Sequence, residues 1–179
     1  MKYLIFPIVI WLFIYGCTKE KVEPTVNVQL TAEEIPDQES WNSTIFFTDS
    51  GKTRAILIAG HLRVFSKSKE TLLDSNLRVE FYNNEEIHTT TLTSKRGRVD
   101  EKTNNLYAID SVVAVNDSGI VISSDEMIWR NKDRKIVSDK YVTIVSPKEK
   151  IEGYGFESDQ NLRNYIIYNI TYITTPDSL

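Results

Sequence analysis

The stretch Leu106-Tyr107-Ala108-Ile109-Asp110-Ser111-Val112-Val113-Ala114-Val115 decides the fold class of this chain. Two short apolar runs flank a polar gap, and the turn-rich residues 101–105 precede them. The pattern returns at 136–144, where Ile-Val-Ser leads through a polar gap into Tyr-Val-Thr-Ile, and more weakly at 57–64. Repeated short runs of alternating side chains are typical of antiparallel strands joined by tight turns. We therefore predict a stack of β-hairpins that encloses a narrow interior.

Alternation with a period of two continues on both sides of this stretch, from Trp41 towards the C-terminus. Leu77, Val79 and Phe81 share one face of a predicted strand, while Glu80 points away from it. This periodicity predicts an all-β domain. Alternation alone favours a closed sandwich, since most apolar faces pack against another apolar face.

Small residues recur along the same predicted inner face and favour a second possibility. A packed core accommodates some small side chains, but a repeated row leaves volume unless another molecule fills it. An open trough with room for a ligand is therefore the alternative to a closed sandwich. The small residues are Ala55, Ala59, Ser94, Ala108, Ser138, Gly153 and Gly155.

The last predicted strand, at residues 165–173, is apolar or aromatic on both faces. At the edge of a sheet, such a strand favours pairing with another chain. In the centre of a sheet, both of its faces would be covered. Sequence alone leaves both alternatives open.

Residues 1–16 have the features of a signal peptide. The apolar run at 3–15 is shorter than the roughly 20 residues that span a bilayer, and a basic residue precedes it. The run ends in a small residue followed by Cys17, which resembles the bacterial lipobox. We therefore expect Cys17 to be lipidated and to begin the mature protein, the alternative being an ordinary signal peptide or an uncleaved anchor. The polar residues 17–40 would then contain the lipidated cysteine and a tether.

Composition argues against several classes of function. The 179 residues are 26% charged and 41% hydrophobic with a net charge of −4, which indicates one acidic globular domain and no basic stripe for nucleic acid. The single cysteine cannot form an internal disulfide, and two histidines, His61 and His88, offer little for a metal cluster. Adjacent acids such as Glu85-Glu86 would point to opposite faces of a strand, and no nucleophile has a neighbouring base. We predict no catalytic residues, no metal and no cofactor.

Several short motifs follow one another in a recognisable order along the chain. They are Phe47-Thr48-Asp49-Ser50-Gly51, Arg54-Ala55, Leu57-x-Ala59, Leu77-Arg78-Val79-Glu80-Phe81-Tyr82, Thr91-Leu92-Thr93-Ser94, Asp100 to Ala108, Val112-Val113, Gly119, Glu126-Met127-x-Trp129, Ile136-Val137-Ser138-Asp139, Ile151-x-Gly153-x-Gly155 and Asp159. Their order and spacing resemble those of LptC, a component of lipopolysaccharide export, in a lipoprotein-anchored form. The resemblance covers roughly residues 41–173. It departs from the family at the anchor, since the best-known members keep a transmembrane helix where this chain has Cys17.

The resemblance implies an open, twisted β-jellyroll over residues 41–175, followed by a short tail at 176–179. In the family, this domain faces the periplasm at the inner membrane. It accepts lipopolysaccharide from an ABC transporter of the LptB-LptF-LptG type, near residues 41–47 in this chain, and passes it to an LptA-like bridge protein. The edge that meets this acceptor would be Tyr165, Ile167, Ile170 and Tyr172.

The interior of the jellyroll would bind the acyl chains of the lipid, and the protein would be a passive conduit. The alternative function is that of a structural or adhesive cell-envelope lipoprotein with a closed β-sandwich core. The expected lipid-binding residues are Ala55, Leu57, Ala59, Leu77, Val79, Phe81, Leu92, Leu106, Ala108, Val113, Val115, Ile122, Met127, Trp129, Ile136, Ser138, Val142 and Ile144.

Overall fold

Eleven antiparallel strands form a single sheet in the computed structural model, which describes residues 35–175. Within these residues there is no helix. The predicted all-β class is confirmed, and the architecture agrees with an open β-jellyroll. The strands are β1 (Gln38–Asp49), β2 (Lys52–Phe65), β3 (Glu70–Asp74), β4 (Leu77–Tyr82), β5 (His88–Ser94), β6 (Arg96–Asp100), β7 (Asn105–Asn116), β8 (Val121–Arg130), β9 (Lys135–Val145), β10 (Lys150–Asp159) and β11 (Tyr165–Thr174).

Four of the shorter strands combine into two long ones. The first half of β2 pairs with β4 and its second half pairs with β3, so β3 and β4 act as one interrupted strand. In the same way, β6 and β5 pair with the first and second halves of β7. With these two mergers, the long strands follow one another across the sheet in chain order, as an antiparallel meander.

A row of irregular residues crosses the middle of the long strands, and we call this row the crease. Positive φ angles occur in it at Asn42 (52°), at Ser75 and Asn76 (60° and 68°), at Asp110 and Ser111 (65° and 53°) and at Gly155 (74°). The irregular residues lie beside one another, since the amide of Gly60 donates to Ser75 O (3.2 Å) and that of Lys95 to Asp110 O (3.1 Å). Asn, Asp and Gly adopt positive φ at lower cost than other residues, and bulges bend a strand. The polar gap of the sequence repeat is therefore a bend within one strand.

The crease divides the sheet into two leaves that pack face to face. Phe47 and Phe81 in the first leaf contact Trp129 in the second leaf, with ring centroids 5.3 Å and 5.4 Å apart. These residues lie on strands that are not neighbours in the sheet, so the contacts require the sheet to fold over. The apolar core lies between the leaves. The first leaf contains 43–58, 77–94, 112–124, 142–154 and 169–174, and the second contains 38–41, 61–74, 96–109, 127–138 and 156–167.

The prediction that Val113 and Val115 face the interior is wrong. Val112 and Ala114 are buried instead, and Val115 is 39% exposed. Two residues with positive φ, Asp110 and Ser111, form the interruption in β7, so the alternation resumes in the same phase after it. A one-residue bulge would have turned Val113 and Val115 inward.

One of the expected small inner residues also lies elsewhere. Gly155 belongs to the crease and is half-buried beneath Tyr168. The others, from Ala55 to Gly153, are buried. The inner row of small residues is therefore present, but it ends at Gly153 and does not include Gly155.

The predicted signal peptide at 1–16, the lipidation site Cys17 and the tail at 176–179 lie outside the described residues. Most of the predicted tether does as well, but its last residues, 38–40, are the first residues of β1. Within 35–175, no helix is long and apolar enough to cross a membrane.

We predict that Gly60→Ala destabilises the domain at the crease. A Cβ at this position would lie 2.3 Å from Ser75 O, which is a backbone atom and cannot move without shifting β3. We expect the free energy of unfolding in urea to fall by about 1–3 kcal/mol. Thr44→Ala on the exposed face of β1 is the control and should change it by less than about 0.5 kcal/mol. Equal stability of the two variants would contradict the close approach of β2 and β3.

Candidate functional site

The interior between the leaves is lined by a continuous cluster of buried apolar residues. Apart from Val113 and Val115, every residue expected to line it is buried. The apolar members belong to one core cluster. Alternation therefore located most of this surface, and the structure adds buried residues that it missed. These are Leu62, Leu73, Val99, Val112, Ala114, Ile151, Phe156 and Leu162.

Leu162 illustrates what periodicity could not find. It lies in the turn between β10 and β11, has φ 55° and is completely buried in the core cluster. A turn residue has no alternating partners, so no pattern marks it as inward. Leu73, in contrast, alternates with Thr71 along β3, whereas Leu62 follows a change of phase in β2 and lies three residues after Ala59.

Aromatic side chains fill the middle of the interior. Trp129 is 1% exposed, and the rings of Phe47 and Phe81 pack against it. The indole Nε1 of Trp129 is buried and has no hydrogen-bond partner. A polar group that is unpaired and away from water lowers the stability of the fold. The two leaves are thus in close contact at this point, and the middle is packed.

The ends of the interior are more open than its middle. At the β1 end, a cavity of about 550 Å³ is lined by inner-face residues including Ile45, Leu62 and Val64. At the β11 end, Ile170 and Ile173 continue the inner face and are 51% and 55% exposed. The apolar surface therefore reaches both edges of the sheet.

Polar contacts join the leaves along the side opposite the crease, which we call the mouth. Gln160 Nε2 donates to Tyr82 O (2.7 Å), and Asn116 Nδ2 donates to Asn161 O (2.9 Å). The Tyr165 hydroxyl donates to Glu149 (3.2 Å). Burial and the neighbouring negative charge of Glu149 raise the pKa of this hydroxyl.

A further contact at the mouth involves the turn between β8 and β9. Arg134 forms an ion pair with Asp49 in the first leaf and donates to Asn84 Oδ1 at 3.4 Å. Each of these contacts connects residues far apart in sequence. Together with the buried side chain of Leu162, they hold the mouth closed.

Among residues 35–175, each outer strand of the sheet has a free edge, since β1 pairs only with β2 and β11 pairs only with β10. Of the residues expected at the partner edge, Tyr165 and Ile167 pack against the core, whereas Ile170 and Tyr172 are exposed. The alternatives left open by the sequence are resolved in favour of an edge strand.

The two histidines lie on the outer surface of the sheet and bind carboxylates. His61 Nε2 lies 2.6 Å from Glu39, and His88 Nδ1 lies 2.9 Å from Asp117. Among residues 35–175, no group of three or more His, Cys, Asp or Glu side chains is arranged to hold a metal ion.

Comparison with models of protein families gives a match. The model of a family described as LptC, "Lipopolysaccharide-assembly, LptC-related", matches residues 3–172. The match thus extends from before β1 into β11 and includes both leaves of the sheet. No curated protein matches the chain.

We predict that Gln160→Leu loosens the mouth. Leucine has a similar size but cannot donate a hydrogen bond to the carbonyl of Tyr82. A buried carbonyl without a donor lowers the stability of the closed state by roughly 1–3 kcal/mol. The Leu162 amide, which donates to Asp159 O within the same turn, should exchange faster in hydrogen-exchange measurements. Gln38→Leu makes the same chemical change at an exposed position and should leave this exchange unaltered. Unchanged exchange in both variants would show that the Gln160 contact does not secure the turn.

Proposed function

This chain belongs to the LptC family, and from that premise we propose that it is a lipid conduit between two partner proteins. The family is a periplasmic cell-envelope component of lipopolysaccharide transport. In the proposal, the domain accepts lipopolysaccharide at its β1 edge from an ABC transporter of the LptB-LptF-LptG type. It then passes the lipid from its β11 edge to an LptA-like bridge protein.

One observation carries this proposal: the apolar inner surface reaches both edges of the sheet, and neither edge pairs with a further strand among residues 35–175. Ile45 and Val64 line the open end beside β1, and Ile170 and Ile173 extend the inner face at β11. A partner that adds a strand to either edge would extend the sheet and the apolar surface together. A lipid could then pass between proteins without its acyl chains entering water.

Acyl chains fit the chemistry of this interior because they offer only apolar surface. Burial of each CH₂ contributes about 0.8 kcal/mol, so a lipid with several chains is held strongly wherever the leaves admit it. In the described state, Phe47, Phe81 and Trp129 fill the middle. Loading therefore requires the mouth to open, with acyl contacts replacing contacts between side chains.

The proposal includes an anchor at the N-terminus. Cleavage after residue 16 would expose Cys17 for lipidation and leave a polar tether before β1. Such a tether reaches roughly 65–70 Å when extended, and about 25 Å as a flexible coil. The domain would be held at the periplasmic face of the inner membrane with freedom to meet both partners.

The packed middle of the interior favours one competing function, a structural cell-envelope lipoprotein whose core stays dry. Such a protein would need no opening of the mouth. The two functions differ in whether inner side chains ever contact lipid in cells.

We predict that a photo-crosslinking amino acid at Ala114 captures lipopolysaccharide in cells, whereas the same group at Val115 does not. These two residues are adjacent in β7 but lie on opposite faces, with Ala114 fully buried and Val115 39% exposed. Adducts would be detected by immunoblotting with an antibody to lipopolysaccharide. Equal adducts at both positions, or none at Ala114 in a protein of normal abundance, would favour the structural lipoprotein.

We predict that Ile170→Lys weakens binding of the LptA-like partner by at least about tenfold, because a charge would interrupt the apolar surface shared across the edge. Asn169→Lys is the control, since it adds the same charge one residue earlier, on the outer face opposite Tyr154. Both positions are exposed, so neither variant should unfold the domain. Biolayer interferometry with the purified partner measures the affinities. Equal affinities for both variants and the unmodified chain would rule out this edge.

A further inference from the structure

A second cavity, of about 300 Å³, lies at the mouth and differs in character from the apolar interior. Three cationic side chains, Arg54, Lys132 and Arg134, line it together with one carboxylate, that of Asp49. Phe47 lines it as well and packs against Trp129, so the cavity adjoins the aromatic cluster. It therefore joins a cationic surface to the middle of the interior.

Arg54 is the least exposed of these cations and lacks a counter-charge. Its residue is only 8% exposed, and its Nη1 donates to Asn83 O at 2.9 Å. Its Nε is buried without a hydrogen-bond partner, and no carboxylate among residues 35–175 forms an ion pair with it. A buried charge is costly unless it is paired, so this arrangement leaves a position for an anion.

The other two cations are placed at the rim of the same cavity. Lys132 is exposed and forms no ion pair within the described part of the chain. Arg134 is held by Asp49 and Asn84 of the first leaf. An anion in the cavity would face all three cations and would compete with Asp49 for Arg134.

The geometry points to a binding site for a phosphate group of the lipid's sugar headgroup, an assignment that rests on the proposed function. With the acyl chains between the leaves, the headgroup lies at the mouth, where this cavity is. Guanidinium groups bind phosphate through paired hydrogen bonds, and Lys132 adds a mobile charge. Phosphate binding draws Arg134 away from Asp49, so recognition of the headgroup releases one of the contacts that close the mouth.

The test measures binding of three probes to the full chain in detergent by titration calorimetry. The probes are lipid A with both phosphates, the same lipid after enzymatic removal of its phosphates, and inorganic phosphate. Lys132→Gln should weaken binding of phosphorylated lipid A by about fivefold, and the double variant Lys132→Gln/Arg134→Gln by about tenfold or more. Lys132→Gln should leave binding of the dephosphorylated lipid unaltered, because Lys132 forms none of the contacts that close the mouth.

Lys102→Gln is a matched control. Lys102 occupies the second position of the turn between β6 and β7, as Lys132 does in the turn between β8 and β9. The last residues of the two turns, Asn104 and Arg134, have similar φ angles of 54° and 56°. Lys102 does not line the cavity, so its replacement should leave all affinities unchanged.

The possible outcomes separate this site from the proposed function. Equal binding of both lipids, with affinities unaffected by Lys132→Gln, overturns the headgroup site and leaves the conduit intact. If inorganic phosphate binds in a Lys132-dependent manner while the two lipids bind equally, free phosphate is the ligand and the headgroup assignment is wrong. If neither lipid binds the unmodified chain, the conduit itself is overturned. A preference for phosphorylated lipid that Lys132→Gln removes and Lys102→Gln retains supports the site.

Discussion

Each long strand is bent where its pairing with the neighbouring strand is interrupted, and the two leaves exist because these interruptions line up. Asn42 and Gly60 lie opposite each other in β1 and β2, and Asp110 and Ser111 supply two successive positive φ angles in β7. A flat sheet of the same strands would expose one apolar face to water. Bending at the crease brings the halves of that face together, so burial of apolar surface and backbone geometry favour the same arrangement.

The two leaves can separate more easily at the mouth than at the crease. At the crease, the leaves are joined through the backbone of every long strand, whereas at the mouth they are joined by side-chain contacts such as those of Gln160 and Arg134. Opening at the mouth therefore leaves the strand pairing intact. The Nε1 of Trp129 and the Nε of Arg54 are buried without a hydrogen-bond partner. A hydrogen bond to either group would remove the free-energy cost of burying it unpaired.

Free sheet edges are normally protected, because exposed backbone groups invite pairing with other chains. In this domain, β11 is long, apolar and exposed, with Ile166, Tyr168 and Ile170 each more than half exposed. β1 carries the exposed aromatic residues Trp41 and Phe46. These features are unfavourable for an isolated domain and suit one that works between partners, as a member of its family would.

Sequence periodicity predicted the all-β class and most of the buried residues, because alternation along a strand is a local property that side-chain chemistry records directly. It also located the polar gaps at Asp110 and Asp139, but not their meaning, since a bend within a strand and a turn between strands use the same residue types. The phase of β7 after the crease depends on how many residues the interruption contains, so Val113 and Val115 were placed on the wrong face. The burial of Leu162, the packed aromatic middle and the cationic cavity at the mouth arise from contacts between residues distant in the chain. Only the folding of one leaf onto the other brings those residues together, and no local pattern encodes it.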